Sequence, residues 1–194
     1  MTQPYVLGIA GSPRRAGNSE QLLDALLGGA HDAGAQTRKL VPAEMSILPC
    51  SGCNSCTLTA ECVLADEMSS VYAEFDAADA IVIASPVYFA GVPGTLKVLI
   101  DRMQPYWART YVLGTPRPAR RPGGFLLVRS SGDPYGFTGA EHTIRSVFAV
   151  LGIDVIVEEK VAGLDEGDDI GRRPDALASA RAHGVQLAGA ARGR

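Results

Sequence analysis

No apolar run in this chain approaches the ~20 residues needed to cross a bilayer. The opening MTQPYVLGIAGSP has no basic cluster ahead of its short apolar stretch, so it reads as a first strand rather than a secretory signal. The resulting expectation is a cytoplasmic protein with no membrane partner. Lysine is scarce, present only as Lys39, Lys97 and Lys160, and the formal net charge is −3. That balance lacks the dense basic face nucleic-acid binding requires, so no nucleic-acid partner is expected. The excess of Arg over Lys accompanies much Ala and Gly and needs no functional cause. Histidine is as rare: His31, His142 and His183 share no motif and read as surface residues. Cysteine occurs four times, all between positions 50 and 62. In a reducing compartment such a run points to metal or redox thiols more than to structural disulfides.

What remains is ordinary globular material. The chain has 194 residues, 46% hydrophobic and 20% charged, enough for one domain with a sizeable core. Strand-like and helix-like patterns alternate. Residues 5–10 form a short apolar run ending at Gly11. From Ser19, Leu22, Leu23, Leu26, Leu27 and Ala30 fall on one helical face, and Gly34 ends the segment. Residues 36–41 suggest a second strand. Asp66 is placed to cap a helix running to about Phe75. The segment DAIVIAS, 79–85, reads as a central strand buried on both faces. Pro93 suits the first turn of a helix that carries Leu96, Leu99, Ile100 and Met103 inward. After the loop TPRPARRPGG come a strand over 125–130, a helix from Gly139 or Ala140 to Gly152, a strand over 153–161 and a last helix over 175–190. The terminal AARGR reads as frayed. Alternation of this kind predicts an α/β fold: a five-stranded parallel sheet covered by helices on both faces. The order is 2-1-3-4-5, with a ligand beyond the carboxyl ends of strands one and three, where the winding reverses.

The first loop, G11-S-P-R-R-A-G-N-S19, runs straight into a helix. A helix start offers unpaired N–H groups and positive dipole charge. Ser12, Asn18 and Ser19 add side-chain donors, Arg14 adds a charge-assisted one, and Gly11 and Gly17 allow tight turning. The set suits a phosphate monoester, although a capped strand-to-helix turn has the same composition. Asn18 stands where a Walker A loop would need lysine, and the glycine spacing differs, which disfavours nucleotide hydrolysis. The third strand ends in S85-P-V-Y-F-A-G-V-P-G-T95. Here Pro86, Val87, Tyr88 and Phe89 offer a stiff, largely apolar segment against which a ring could lie.

Together these two loops resemble the NAD(P)H-dependent FMN reductase family of flavodoxin-like proteins. GSPRRAGNS is similar to its FMN-phosphate loop and SPVYFAGVPGTLKVLIDR to its isoalloxazine loop and following helix, in an order of elements that matches over about residues 5–160. The resemblance implies a flavodoxin-like three-layer sandwich. It implies FMN phosphate at Ser12, Arg14, Asn18 and Ser19, and the flavin ring against Pro86, Val87, Tyr88 and Phe89. A third family loop corresponds to Ser130, Ser131 and Gly132, with Tyr135 nearby. It further implies NAD(P)H as reductant, a quinone, flavin, nitro or azo compound as small-molecule acceptor, and assembly as a homodimer or homotetramer. Asp101-Arg102, extended by Tyr106 and Trp107, is the expected place for subunit contacts. FMN carries the chemistry in such enzymes, so no catalytic acid, base or nucleophile is expected.

Cys50, Cys53, Cys56 and Cys62 read C-x2-C-x2-C-x5-C. Four thiolates in a turn-rich loop can hold a [4Fe-4S] cube or zinc, or remain plain thiols. The spacing resembles that of iron–sulfur flavoproteins, a branch of the same family, and implies an electron carrier as the alternative function. Arg117, Arg120 and Arg121 read as a solvated basic loop, with the extra phosphate of NADPH as a functional alternative.

Overall fold

The computed structural model describes residues 3–167 and 169–192. Its five strands, β1 (Tyr5–Ala10), β2 (Gln36–Leu40), β3 (Ala80–Pro86), β4 (Arg121–Val128) and β5 (Ile153–Val161), form one sheet in the order β2-β1-β3-β4-β5. Every neighbouring pair is parallel. The helices are α1 (Asn18–Asp32), α2 (Cys56–Thr59), α3 (Met68–Ala77), α4 (Gly94–Asp101), α5 (Gln104–Tyr111), α6 (Thr138–Leu151) and α7 (Pro174–Ala191).

Alternate strand residues point to opposite faces, and this splits the core in two. Val6, Ala10, Val82, Ala84, Leu126 and Val128 pack under α1 and α7. Leu7, Ile9, Ile81, Ile83, Phe125 and Leu127 pack under α3, α4, α5 and α6. The fold and strand order expected from the sequence are those observed, and FMN-type clefts in such sheets lie at the β1/β3 reversal. Helices α1 and α7 cross at backbone contact: a Cβ added at Gly184 would lie 1.9 Å from the Leu26 carbonyl oxygen, and one at Gly29 2.0 Å from that of Arg181.

Several local expectations need correction. The helix after Pro93 is two helices, broken at Arg102 and Met103, and Met103 turns inward from the joint. Strand β4 starts four residues early, at Arg121. Arg121 is therefore not in a solvated loop. It is buried, and its guanidinium donates to the carbonyls of Phe75 and Ala78. Arg102 does not face a neighbouring subunit either; it is 1% exposed and pairs with Asp66 of its own chain. Tyr106 is buried, donating its hydroxyl to Asp76 at 2.7 Å. Asp66 accepts from the Met68 N–H at 3.0 Å, but it precedes the N-cap, Glu67, and does not cap the helix as expected; the Arg102 pair is its larger commitment. Helix α7 reaches Ala191; Gly193 and Arg194 of the expected frayed end lie outside the described residues. Among the described residues no helix is long and apolar enough to cross a membrane.

Candidate functional site

Beyond the carboxyl ends of β1 and β3 lies a cleft of about 260 Å³. The first loop forms one wall, Pro86, Val87 and Tyr88 another, and Val128 to Ser130 a third. The sheet brings these segments together at the reversal of winding, although they are far apart in sequence. Gly11 fixes the floor. A Cβ there would lie 2.5 Å from Leu96 Cδ2 and 3.0 Å from the Ala84 carbonyl oxygen, so a larger residue would have to displace Leu96 and crowd the β3 backbone.

The first loop is held by one carboxylate. Glu20, 3% exposed, accepts from Arg15 Nη2 at 2.6 Å, Arg15 Nε at 3.0 Å, Lys39 Nζ at 2.7 Å and the Ala16 N–H at 2.7 Å. The Arg15 hydrogen bond leads in holding this carboxyl at about 2, with Lys39 and the Ala16 amide adding to it against burial. Arg15 is thus turned away from the cleft. Arg14 is not: its N–H donates to Ser12 Oγ at 3.0 Å. Its guanidinium has no ion-pair partner among the described residues, and a Cβ on Gly167, across the cleft, would lie 3.6 Å from Nη1. Ser12 and Ser19 are buried at the cleft. Gly17 precedes α1 without a side-chain cap, so the first-turn N–H groups of a 15-residue helix are available to an anion.

Glu20 makes a testable pH prediction. An unfolded glutamate titrates near ~4.3, above its folded value. The contribution of Glu20 to stability is therefore complete above that pH and is lost as pH falls toward the folded value. Melting temperatures of the wild type and Glu20→Gln should differ most at neutral pH and converge through the acid range; a gap that persists unchanged in acid contradicts this.

The other expected residues are placed as follows. Asn18 lines the cleft, but its amide also latches a distant loop. Nδ2 donates to the Glu166 carbonyl at 2.6 Å, and Oδ1 accepts from the Ile170 N–H at 3.0 Å. One Nδ2 hydrogen is left for a ligand. Tyr88 and Gly91 exchange backbone hydrogen bonds of 2.9 and 3.0 Å, closing a turn whose central residues, Phe89 and Ala90, both have positive φ. This mirror-image turn is unfavourable for two non-glycine residues, and it leaves the Phe89 ring fully exposed. Phe89 and Tyr135 both line an adjoining shallow pocket that also touches Gly132 and Ser130. Ser131 is committed elsewhere: its N–H and hydroxyl donate to Asp165 at 2.9 and 2.8 Å.

Sequence reasoning missed one contributor. The segment after β5, with Leu164, Asp165, Glu166 and Gly167, forms the outer rim of the cleft. Its only signal was a polar, glycine-containing stretch.

A second pocket, about 360 Å³, lies against the other helical layer and is lined by all four cysteines together with Arg102, Pro105 and Trp107. All four are free thiols. Among the described residues they are not drawn into a group of three or more close enough to hold a metal ion. They do influence one another: the Cys56 thiol is pushed up by burial and then by the other three sulfurs. The Ser55 hydroxyl lowers Cys53. Positive φ at Gly52 and Asn54 turns the chain sharply between the first three cysteines.

Comparison with known proteins agrees with this geometry. The family model for NADPH-dependent FMN reductase matches residues 4–166. An iron–sulfur flavoprotein from Archaeoglobus fulgidus is 30% identical over 174 residues, covering 89% of this chain and 76% of its own. An FMN-dependent NADH:quinone oxidoreductase from Methylobacterium radiotolerans is 33% identical over 184 residues, covering 89% and 79%. Among solved structures, an NAD(P)H:quinone oxidoreductase from Methanothermobacter marburgensis superposes with a TM-score of 0.74 at 21% identity, over 96% of this chain and 98% of that one; a likeness at that identity speaks for the fold. The chain belongs to the NADPH-dependent FMN reductase family.

Proposed function

We propose that this chain is an FMN-dependent NAD(P)H oxidoreductase acting on a quinone, free flavin or similar small acceptor. The observation that carries the reading is the cleft at the β1/β3 reversal. It pairs an uncapped helix start and two buried serine hydroxyls with an ungripped Arg14, beside the apolar edge Pro86–Val87–Tyr88. Ser12, Ser19, Arg14 and the remaining Asn18 donor would hold the phosphate. Pro86, Val87, Tyr88 and Phe89 would take the ring on one side, with Ser130, Ser131 and Gly132 at its rim. Bound there, FMN would accept hydride from a nicotinamide and supply electrons to the second substrate. The chain's own part is to bind, orient and shield. The backbone N–H groups of Phe89 and Ala90, which the turn itself does not use, can meet negative charge developing on the ring's polar edge without any titrating side chain. The exposed Phe89 and Tyr135 rings offer aromatic faces to a planar substrate.

Anaerobic mixing with NADPH tests this. FMN-loaded protein should lose its oxidised-flavin absorbance rapidly, and steady-state kinetics with a quinone should be ping-pong. Slow or absent bleaching, or an obligatory ternary complex, overturns it. Assembly as a homodimer or homotetramer belongs to the same reading, supported by the exposed Trp107–Tyr111 stack on α5, ring centroids 6.2 Å apart. Light scattering decides it.

The cysteine pocket favours a second cofactor. Four thiols on one cavity are the donor set of a [4Fe-4S] cluster. The buried Arg102 on the same wall has an Nε with no acceptor among the described residues, a donor a cluster sulfur would satisfy. Cys50, Cys53, Cys56 and Cys62 would be its ligands, the sulfurs closing on the metal from their present positions. The reading then becomes an iron–sulfur flavoprotein electron carrier. Anaerobic purification with iron and flavin analysis distinguishes it: iron near four per chain supports the cluster, and flavin without iron leaves the reductase alone.

A further inference from the structure

Arg102 is the largest fully buried side chain among the described residues, and it stands where no local pattern demands an arginine. It ends α4, and the C-terminus of a helix favours a cation, but this one is taken out of water entirely. Its partner Asp66 is 6% exposed. Arg102 Nη1 donates to Asp66 Oδ2 at 2.6 Å and to the Leu48 carbonyl at 2.7 Å, and Nη2 donates to Asp66 Oδ1 at 3.0 Å. Asp66 also accepts from the Leu48 N–H at 2.9 Å. Leu48 precedes the first cysteine and Asp66 follows the last. One ion pair thus draws both ends of the cysteine loop against α4.

The two partners are unequally satisfied. Asp66 is fully occupied by two guanidinium nitrogens and two backbone amides. Arg102 keeps unused donors: of five N–H groups three are spent, and the buried Nε has no acceptor among the described residues. Arg102 lies on the wall of the cavity that all four cysteines line. Burying a charge pair costs several kcal/mol per ion before pairing, and apolar residues of similar volume often stabilise as well. A purely structural clasp therefore needs no buried arginine on the wall of a pocket lined by four cysteines.

We propose that Arg102 is a positioning residue for a cluster held in this pocket, its charge, steadied by Asp66, making the cluster easier to reduce. The proposal rests on the cluster reading given above. Each electron entering the centre, from reduced flavin or an added reductant, places one more negative charge beside the guanidinium. No bond or proton need change hands. Second-shell hydrogen bonds and nearby charge are the recognised means by which a protein sets such potentials.

The test is a dithionite redox titration of the cluster in the whole reconstituted protein, with iron and FMN assayed separately, for wild type, Arg102→Gln and Asp66→Asn. Arg102→Gln removes the cation. It should disfavour reduction on the order of tenfold, a fall of about 59 mV for one electron. Asp66→Asn leaves the cation uncompensated and should shift the midpoint the opposite way. Opposite signs are what a clasp alone does not produce. If both variants merely lose iron while the remaining clusters keep the wild-type midpoint, or if both shift in one direction, the proposal is overturned and the cluster reading stands. If wild type binds FMN but takes up no iron, the cluster reading falls and the proposal with it. Should Arg102→Gln fail to fold, Arg102→Lys keeps the charge without Nε. Its midpoint is expected near wild type, and Asp66→Asn then decides by its sign.

Discussion

Arg14→Ala should weaken FMN binding by about tenfold to a hundredfold while leaving the affinity for riboflavin, which has no phosphate, unchanged. The factor follows from a charge-assisted hydrogen bond being worth roughly 1.5–3 kcal/mol, with ~1.4 kcal/mol per tenfold. The selectivity follows from the loop. Arg15, its neighbour, is consumed by Glu20 and Glu44, so Arg14 is the cation of the first loop left to face the cleft. Arg15→Ala should instead act through loop order, and through Glu20, whose carboxylate would keep only Lys39 and the Ala16 amide. Fluorescence titration with both flavins reads the difference. Equal losses for FMN and riboflavin in Arg14→Ala would mean that the guanidinium does not meet the phosphate.

Gly184→Val should be the most destabilising single substitution on the α1/α7 face, costing more than the 1–3 kcal/mol usual for overpacking, to the point of preventing folding. The added Cβ would meet the Leu26 carbonyl oxygen at 1.9 Å and the Ala30 nitrogen at 2.7 Å. Those are backbone atoms of a helix and cannot step aside. Relief requires α7 to move off α1, uncovering Leu22, Leu26 and Leu187. Because the start of α1 lines the cleft proposed to hold FMN, any protein that does fold should also bind FMN less well. Gly189→Ala, on the same helix with nothing within 4 Å of its Cβ, is the control. It should raise stability by about 0.5–1 kcal/mol through helix propensity. Thermal melts of the two variants compare them; similar melting points would show that the helices are not locked at Gly184.

The legible parts of this molecule were those written in local pattern. The apolar strands, the helical face of α1 and the alternation of elements led to the sheet order because each depends on neighbours in sequence. Misreadings occur where a distant partner overrides local composition. Arg121-Pro122-Gly123-Gly124 has the residues of a turn, yet it opens β4. Cβ atoms at Gly123 and Gly124 would lie 2.4 Å from the Ile81 carbonyl oxygen and 2.2 Å from that of Val157, so the strands demand glycine there. Arg102 looked like a surface charge because Asp66 stands 36 positions earlier. Asn18 looked like a dedicated phosphate ligand, whereas its amide is shared with a loop about 150 residues on. The 164–167 rim carried no motif at all. The two glycine-containing loops singled out in the sequence line one cleft because each sits at a strand end, where the fold brings them together.

Isothermal titration of the folded protein with FMN, run beside riboflavin, bears most directly on the cleft. The account predicts one FMN per chain, bound at least about a hundredfold more tightly than riboflavin, since several charge-assisted and helix-terminal hydrogen bonds act on the phosphate alone. No heat with FMN, or equal affinity for the two flavins, would contradict it.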